Sequence, residues 1–318
     1  MSPFSRSLPS ATGDGRDDTP RPPGRRSFLK TLALTGGALL LGGHRLMDRP
    51  ERLIGVQLYT LRERMQQDFA GTLEQVAAIG YREVEFAGYF DRRPEQVRAL
   101  LERLNLTAPS THIGLDALRN DLDGQLETAR TIGHRYVTVP AIMEAFTGTM
   151  TPDAWSRYAA EFNRIGAACR DKGLTLAYHN HHFEFVPAGE GRTGFDVLLA
   201  ETDPDLVVFE LDLMWATLAG HDPVTLFERY PGRFVMWHVK DLKSIETARA
   251  AAGRGMEGFR TILGLMADVG AGEIDFARIF ARAEQAGVRH LFVEHDAPQD
   301  ALASITNSFR HVQALLAP

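Results

Sequence analysis

The sequence predicts a closed (β/α)8 barrel, a TIM barrel, forming a single domain after an N-terminal export signal. Three observations predict it. Beyond Pro50, short β-rich runs alternate eight times with longer amphipathic stretches, the order expected of a parallel sheet covered by helices. Several helical stretches end on glycine just before the next strand, at Gly80, Gly133, Gly173 and Gly287, where glycine accepts the left-handed conformation that closes a helix. Polar and ionisable residues collect at the far ends of the strands, where barrels of this kind carry their chemistry.

In chain order the expected strands are Leu53–Tyr59, Glu83–Phe86, Leu106–Thr111, Tyr136–Val139, Leu174–His181, Leu206–Leu211, Phe234–Val239 and His290–Glu294. Between them the apolar spacing predicts helices over Gly71–Ile79, Pro94–Leu104, Leu115–Ile132, Pro152–Lys172 and Ile274–Ala286. Loops at Pro140–Thr151, Ala188–Thr193 and Ser244–Leu265 are expected to shape the pocket; the last is long enough to cover the site or to meet a second copy in a homo-oligomer. A doubly wound open sheet is the runner-up. It lacks support because Gly55-Val56-Gln57-Leu58-Tyr59-Thr60-Leu61 stands where a glycine fingerprint should follow the first strand.

The barrel is assigned to residues 51–318, since about 250 residues suffice for one. Residues 2–24 are rich in Ser, Pro, Gly, Asp and Arg and carry too little apolar surface to pack. Arg25-Arg26-Ser27-Phe28-Leu29-Lys30 then precedes an apolar stretch from Thr31 to Gly43, the pattern of a twin-arginine signal peptide. That stretch is short of the roughly 20 residues that span a bilayer, so no stable membrane span is expected and the localisation is periplasmic or otherwise exported. A net charge of −6, with acidic and basic residues interspersed, gives no field for nucleic acid. The lone Cys169 sits on a helical pattern and reads as a packed side chain.

Four strand ends hold the candidate chemistry. They read Tyr178-His179-Asn180-His181-His182-Phe183-Glu184-Phe185, Phe209-Glu210-Leu211-Asp212, Trp237-His238-Val239-Lys240-Asp241 and Val293-Glu294-His295-Asp296. Singly, Asp212 reads as a helix cap, His238 as a hydrogen-bonded core histidine, and Glu294 as half of an ion pair. Together, carboxylates and imidazoles on four successive strands point to one divalent metal ion, Mn, Co, Mg or Zn, rather than a thiolate-preferring one. Gln57, Glu85 and His112 close the first three strands and are candidates for substrate binding, with a structural role for Glu85 and His112 equally open.

These motifs, with Gly55-Val56-Gln57-Leu58-Tyr59 and Gly270-Ala271-Gly272-Glu273-Ile274-Asp275-Phe276, resemble the xylose isomerase-like TIM barrel superfamily, in its sugar phosphate isomerase/epimerase branch. The resemblance runs from Leu53 to the C-terminus. It implies a metal site of Asp212, His238 and Glu294 plus one ligand from strand five. Many members have a glutamate on that strand, whereas this chain has His179 and His181; Glu184 is taken as the fourth ligand, with His181 next.

The resemblance further implies that the metal polarises a sugar carbonyl while a base removes the adjacent proton. His179 or His181 is the expected base, and Lys240 is expected to stabilise developing negative charge. The expected function is therefore a metal-dependent isomerase or epimerase acting on a small-molecule carbohydrate, non-phosphorylated because the protein is exported. A keto-sugar lyase or dehydratase, acting for example on 3-keto-glycosides, uses the same residues. A non-catalytic sugar-binding barrel is the third reading.

Overall fold

The computed structural model describes residues 54–148 and 150–317; the tail and signal peptide expected within residues 1–50 lie outside the described residues. The strands are β1 (Ile54–Gln57), β2 (Glu83–Phe86), β3 (Thr107–His112), β4 (Tyr136–Val139), β5 (Thr175–His179), β6 (Val207–Asp212) and β7 (Phe234–Val239). A two-residue pair follows, β8 (Asp241–Leu242) with β9 (Met266–Ala267), and then β10 (His290–Val293). All but β8 and β9 form one closed barrel in the order β1-β10-β7-β6-β5-β4-β3-β2, with every pairing parallel. No helix among the described residues is long and apolar enough to cross a membrane.

Side chains alternate along a strand, so every second residue shares a face. A small apolar cluster of Tyr136, Ala177, Val235, Met236 and Phe292, with Val208 against it, is made of strand residues alone. From its members the same-face ladder climbs to ionisable groups: Val208 to Glu210 and Asp212, Met236 to His238 and Lys240, Ala177 to His179, Phe292 to Glu294 and Asp296. Above a Glu83–His290 pair at the amino ends of β2 and β10, the barrel interior changes from apolar to charged towards the carboxyl ends of its strands. The large core lies between strands and helices and includes Trp155, Phe162, Phe209, Phe227 and Trp237, all essentially buried.

Two expected helices are each broken in two. Asp121 divides Leu115–Ile132 and caps the second half, Leu122–Ile132, by accepting the Gly124 N–H. Ile274–Ala286 becomes Phe276–Phe280 and Ala283–Ala286. β5 ends at His179, two residues before its expected limit, because Glu184 accepts the His181 N–H and draws the backbone out of the strand. His181 therefore does not share the strand face with His179. β1 ends at Gln57, whose side chain accepts the Tyr59 N–H and starts a short 3-10 turn, Leu58–Leu61.

The long segment after β7 is ordered by one carboxylate. Asp241, fully buried, accepts N–H bonds from Leu242, Gly270, Gly272 and Ile274 at 2.9–3.2 Å. A Cβ at Gly272 would run into the Asp241 carboxylate and the Leu242 carbonyl, so only glycine lets the backbone approach this closely. Between these anchors, helices Ile245–Ala251 and Gly255–Leu265 replace the expected loop. Lys240 and Asp241 are both buried, so neither is a solvated surface charge. Asp241→Ala leaves four N–H groups without their acceptor, and at about 1–3 kcal/mol for an unsatisfied buried group the loss is expected to reach about 3 kcal/mol or more. Thermal unfolding checks this: a melting temperature about 6–12 °C lower is expected, and one within about 2 °C of wild type would rule the anchor out.

Candidate active site

The ionisable residues at the top of the barrel meet in one buried cluster. His238, the fifth residue of β7, has a carboxylate on each side. Its Nδ1 lies 2.7 Å from Glu294 Oε2, and its Nε2 lies 2.7 Å from Glu85 Oε2 and 3.1 Å from Glu210 Oε2. His179, ending β5, lies 3.4 Å from Asp212 Oδ2 through Nε2, while its Nδ1 donates to the Pro140 carbonyl at 3.1 Å. Lys240 Nζ sits 2.7 Å from Glu294, 3.3 Å from Asp212 and 3.1 Å from Asp296. Asp212 also caps the following helix, Leu213–Leu218, its Oδ1 accepting the Trp215 N–H at 2.8 Å.

Below His238 lies a second layer. Glu85 accepts from Gln57 Nε2 at 2.7 Å and from the Ser110 hydroxyl at 2.5 Å, and His112 Nε2 is 2.8 Å from Glu210. Gln57, Glu85, Ser110, Glu210 and His238 are all 0 % exposed, so this layer faces other side chains and not an open pocket. Two surface hollows of about 240 Å³ lie elsewhere, beside Asp68 and Arg92 and beside His221 and Arg278, and contain none of these residues.

Charge decides the protonation states. Burial works against the Lys240 ammonium, but Asp296, Glu294 and Asp212 outweigh it and hold the lysine well above its usual range. Burial likewise pushes Glu294 up, and Lys240 with His238 pulls it well below the normal carboxylate value. Asp296 is pushed up to about 7 by burial and by Glu294 and Asp212, against the pull of Lys240. His179 is lowered by burial and by His238, and His181 is lowered further by burial, His179 and Lys240, so both are neutral near pH 7.

This donor set fits a divalent cation. His179, Asp212, His238 and Glu294 each bring one ligand atom, all within 4.8 Å of one another. With Nδ1 donating to Pro140, the neutral His179 turns the lone pair of Nε2 towards Asp212, so two acceptors face each other and call for a positive charge between them. His238 Nδ1 and Glu294 Oε2 lie buried 2.7 Å apart, with the Lys240 ammonium 2.7 Å from the same oxygen. Mixed imidazole and carboxylate donors suit Zn²⁺, Mn²⁺, Co²⁺ or Mg²⁺, and the carbonyl bonded to the far nitrogen of His179 is the usual way of orienting a ligating histidine.

The structure therefore brings Asp212, His238 and Glu294 together, as expected, and joins His179 to them. Glu184 is not brought to the cluster: it accepts from the Tyr178 hydroxyl at 2.5 Å and from the His181 N–H at 2.8 Å, and burial pushes it up to about 7. His181 stands beside the cluster, its ring 4.9 Å from that of His179 and stacked on Phe183. Gln57, Glu85 and His112 sit in the layer beneath His238. Glu210 and Asp296 were not among the expected site residues. The signal for both was present: each lies two residues from Asp212 or Glu294 on the same face.

A family model described as the xylose isomerase-like TIM barrel matches residues 73–314. The inosose dehydratase of Geobacillus kaustophilus is 30% identical over 234 residues, covering 66% of this chain and 74% of that protein. A sugar phosphate isomerase/epimerase from Parabacteroides distasonis superposes with a TM-score of 0.67 at 22% identity, over 85% of this chain and 97% of that one. The IOLI protein, crystallised with a bound zinc atom, superposes with a TM-score of 0.63 at 13% identity, over 83% of this chain and 98% of its own. With the closed barrel and the match over most of its length, the chain belongs to the xylose isomerase-like TIM barrel family.

Proposed function

We propose that the protein is a divalent-metal-dependent enzyme that removes the proton beside the carbonyl of an uncharged keto-sugar or cyclic keto-polyol, with elimination of a β-hydroxyl or β-alkoxyl group as the outcome. The observation that carries it is the cluster of His179, Asp212, His238 and Glu294 with Lys240 against it. Relatives named inosose dehydratase support elimination. The charge of the site supports an uncharged substrate. Three carboxylates, Asp212, Glu294 and Asp296, lie against the one lysine and two more, Glu85 and Glu210, against His238, and among the described residues no arginine pairs with any of them. A phosphoryl group would be repelled there.

A cation bound by the four ligands supplies Lewis-acid polarisation of the carbonyl. His181, neutral and with an Nδ1 that makes no hydrogen bond, takes the α-proton. Lys240, held protonated, donates to the departing oxygen, and Asp296 beside it returns the proton. Trp215, stacked on Phe259 and 5.9 Å from Lys240 Nζ, walls this end of the site with Phe183 and Phe146. The isomerase or epimerase reading is second, favoured by the structural neighbour bearing that name. An exported enzyme, as the Arg25-Arg26 pair supports, would meet such sugars outside the cytoplasm.

Incubating the metal-loaded protein with an inosose and with a 3-keto-glycoside tests this. Loss of water from the first, or release of aglycone from the second, is expected. A change of configuration without cleavage moves the assignment to an epimerase. Binding of metal and sugar with no turnover of any keto-sugar leaves a binding barrel.

A further inference from the structure

The geometry points to a second function for the buried layer beneath the cluster: Glu85, backed by Gln57 and Ser110, is a positioning residue that fixes the His238 ring so that Nδ1 faces the cation site. This rests on the metal-dependent reading above. An imidazole has two nitrogens, and the hydrogen bond made by one decides what the other can do. His238 Nε2 is 2.7 Å from Glu85 Oε2 and Nδ1 is 2.7 Å from Glu294 Oε2; with a cation held beside Glu294, Nε2 keeps its proton for Glu85 and Nδ1 turns its lone pair to the ion. Carboxylate, histidine and metal in line is the arrangement that orients ligating imidazoles and raises their basicity.

Three facts set Glu85 apart from a packing residue. It stands on β2 and reaches across the barrel interior to β7, with β1 and β10 lying between them in the sheet. Both its oxygens are already committed, Oε1 to Ser110 and Oε2 to Gln57 and His238, and Ser110 is tied in turn to Thr138 at 2.9 Å. A buried carboxylate costs several kcal/mol unless fully paired, and Glu83, two residues earlier on β2, meets that need by pairing with His290 beside Tyr136. A carboxylate held this firmly at this depth is accounted for by the histidine that it orients. Glu85, His112, Glu210 and His238 also bring ligand atoms within 4.8 Å of one another, so a second ion held there is the competing arrangement that the test must separate.

Chelator-stripped wild type, Glu85→Ala, Glu85→Gln and Glu83→Gln are titrated with Zn²⁺ and with Mn²⁺ by calorimetry. Glu83 is the control: it lies two residues away on β2, is buried, and pairs with His290 instead of a ligand. Glu85→Ala is expected to weaken metal binding 10- to 100-fold. Glu85→Gln, which keeps an acceptor and the shape, is expected to weaken it less, and it stands in if the alanine variant does not fold. Glu83→Gln is expected to bind as wild type does. Equal affinity in wild type and both Glu85 variants overturns the inference, and so does an equal loss in Glu83→Gln. Two equivalents bound by wild type, one of them lost with Glu85, makes Glu85 a ligand and overturns it too. A wild type that binds neither ion removes the metal reading itself, a result distinct from all of these.

Discussion

Asp212→Asn is expected to lower kcat/KM about a thousandfold or more while the fold stays intact. The two oxygens of this carboxylate do different things. Oδ1 accepts the Trp215 N–H and caps the Leu213–Leu218 helix, and asparagine keeps that oxygen. Oδ2 faces His179 Nε2 at 3.4 Å and Lys240 Nζ at 3.3 Å; an amide nitrogen there turns donor hydrogens towards a position that a cation must occupy. Losing one anionic ligand forfeits about 4 kcal/mol of transition-state stabilisation, three decades in rate. Steady-state kinetics measures the loss, and the melting temperature with and without metal separates it from misfolding. The metal-free variant should melt as wild type does, and the rise on adding metal should shrink. Turnover within tenfold of wild type would exclude Asp212 from the metal site.

Lys240→Met is expected to act twice. The ammonium is 2 % exposed and lies among Glu294, Asp212 and Asp296. Removing it leaves those carboxylates facing one another, and breaking a buried pair in this way costs roughly 3–5 kcal/mol. Chelator-treated variant should therefore unfold at lower denaturant than wild type. Divalent metal, bound by two of the same carboxylates, should restore much of that stability. It should not restore turnover, which is expected to remain 10²- to 10⁴-fold down because the proton donor is gone. Recovery of stability and turnover together would reduce Lys240 to a counter-charge.

Much of this architecture was legible because it follows from period and placement. β2, β4 and β7 fall at their expected limits, and the other barrel strands within one or two residues. Asp212, His238 and Glu294 could be named because the motifs at these strand ends resemble those of the family, which places its metal ligands there. The errors are local and share a cause: short-range hydrogen bonds that periodicity does not report. Asp121 breaks a helix by capping its second half, and Glu184 ends β5 by taking the His181 N–H. Glu184 was expected to fold back towards the metal in place of the family's strand-five glutamate, and it is bonded instead to the Tyr178 hydroxyl and the His181 N–H. The layer beneath His238 was hidden for another reason. Gln57, Glu85, Ser110 and Glu210 come from four strands and meet only when the barrel closes, so no stretch of sequence displays their contact.

Lys240 and Asp241 are neighbours in the chain with opposite duties, one turned to the reacting groups and the other tying the excursion from Leu242 to Ile274 to the barrel rim. The knot lies at the root of the excursion, so its two helices are fastened like an interchangeable head on a fixed handle. The Gly255–Leu265 helix reaches back through Phe259, which stacks on Trp215 beside Lys240, so a change within this head alters the wall next to the lysine while the Asp241 anchor stays in place.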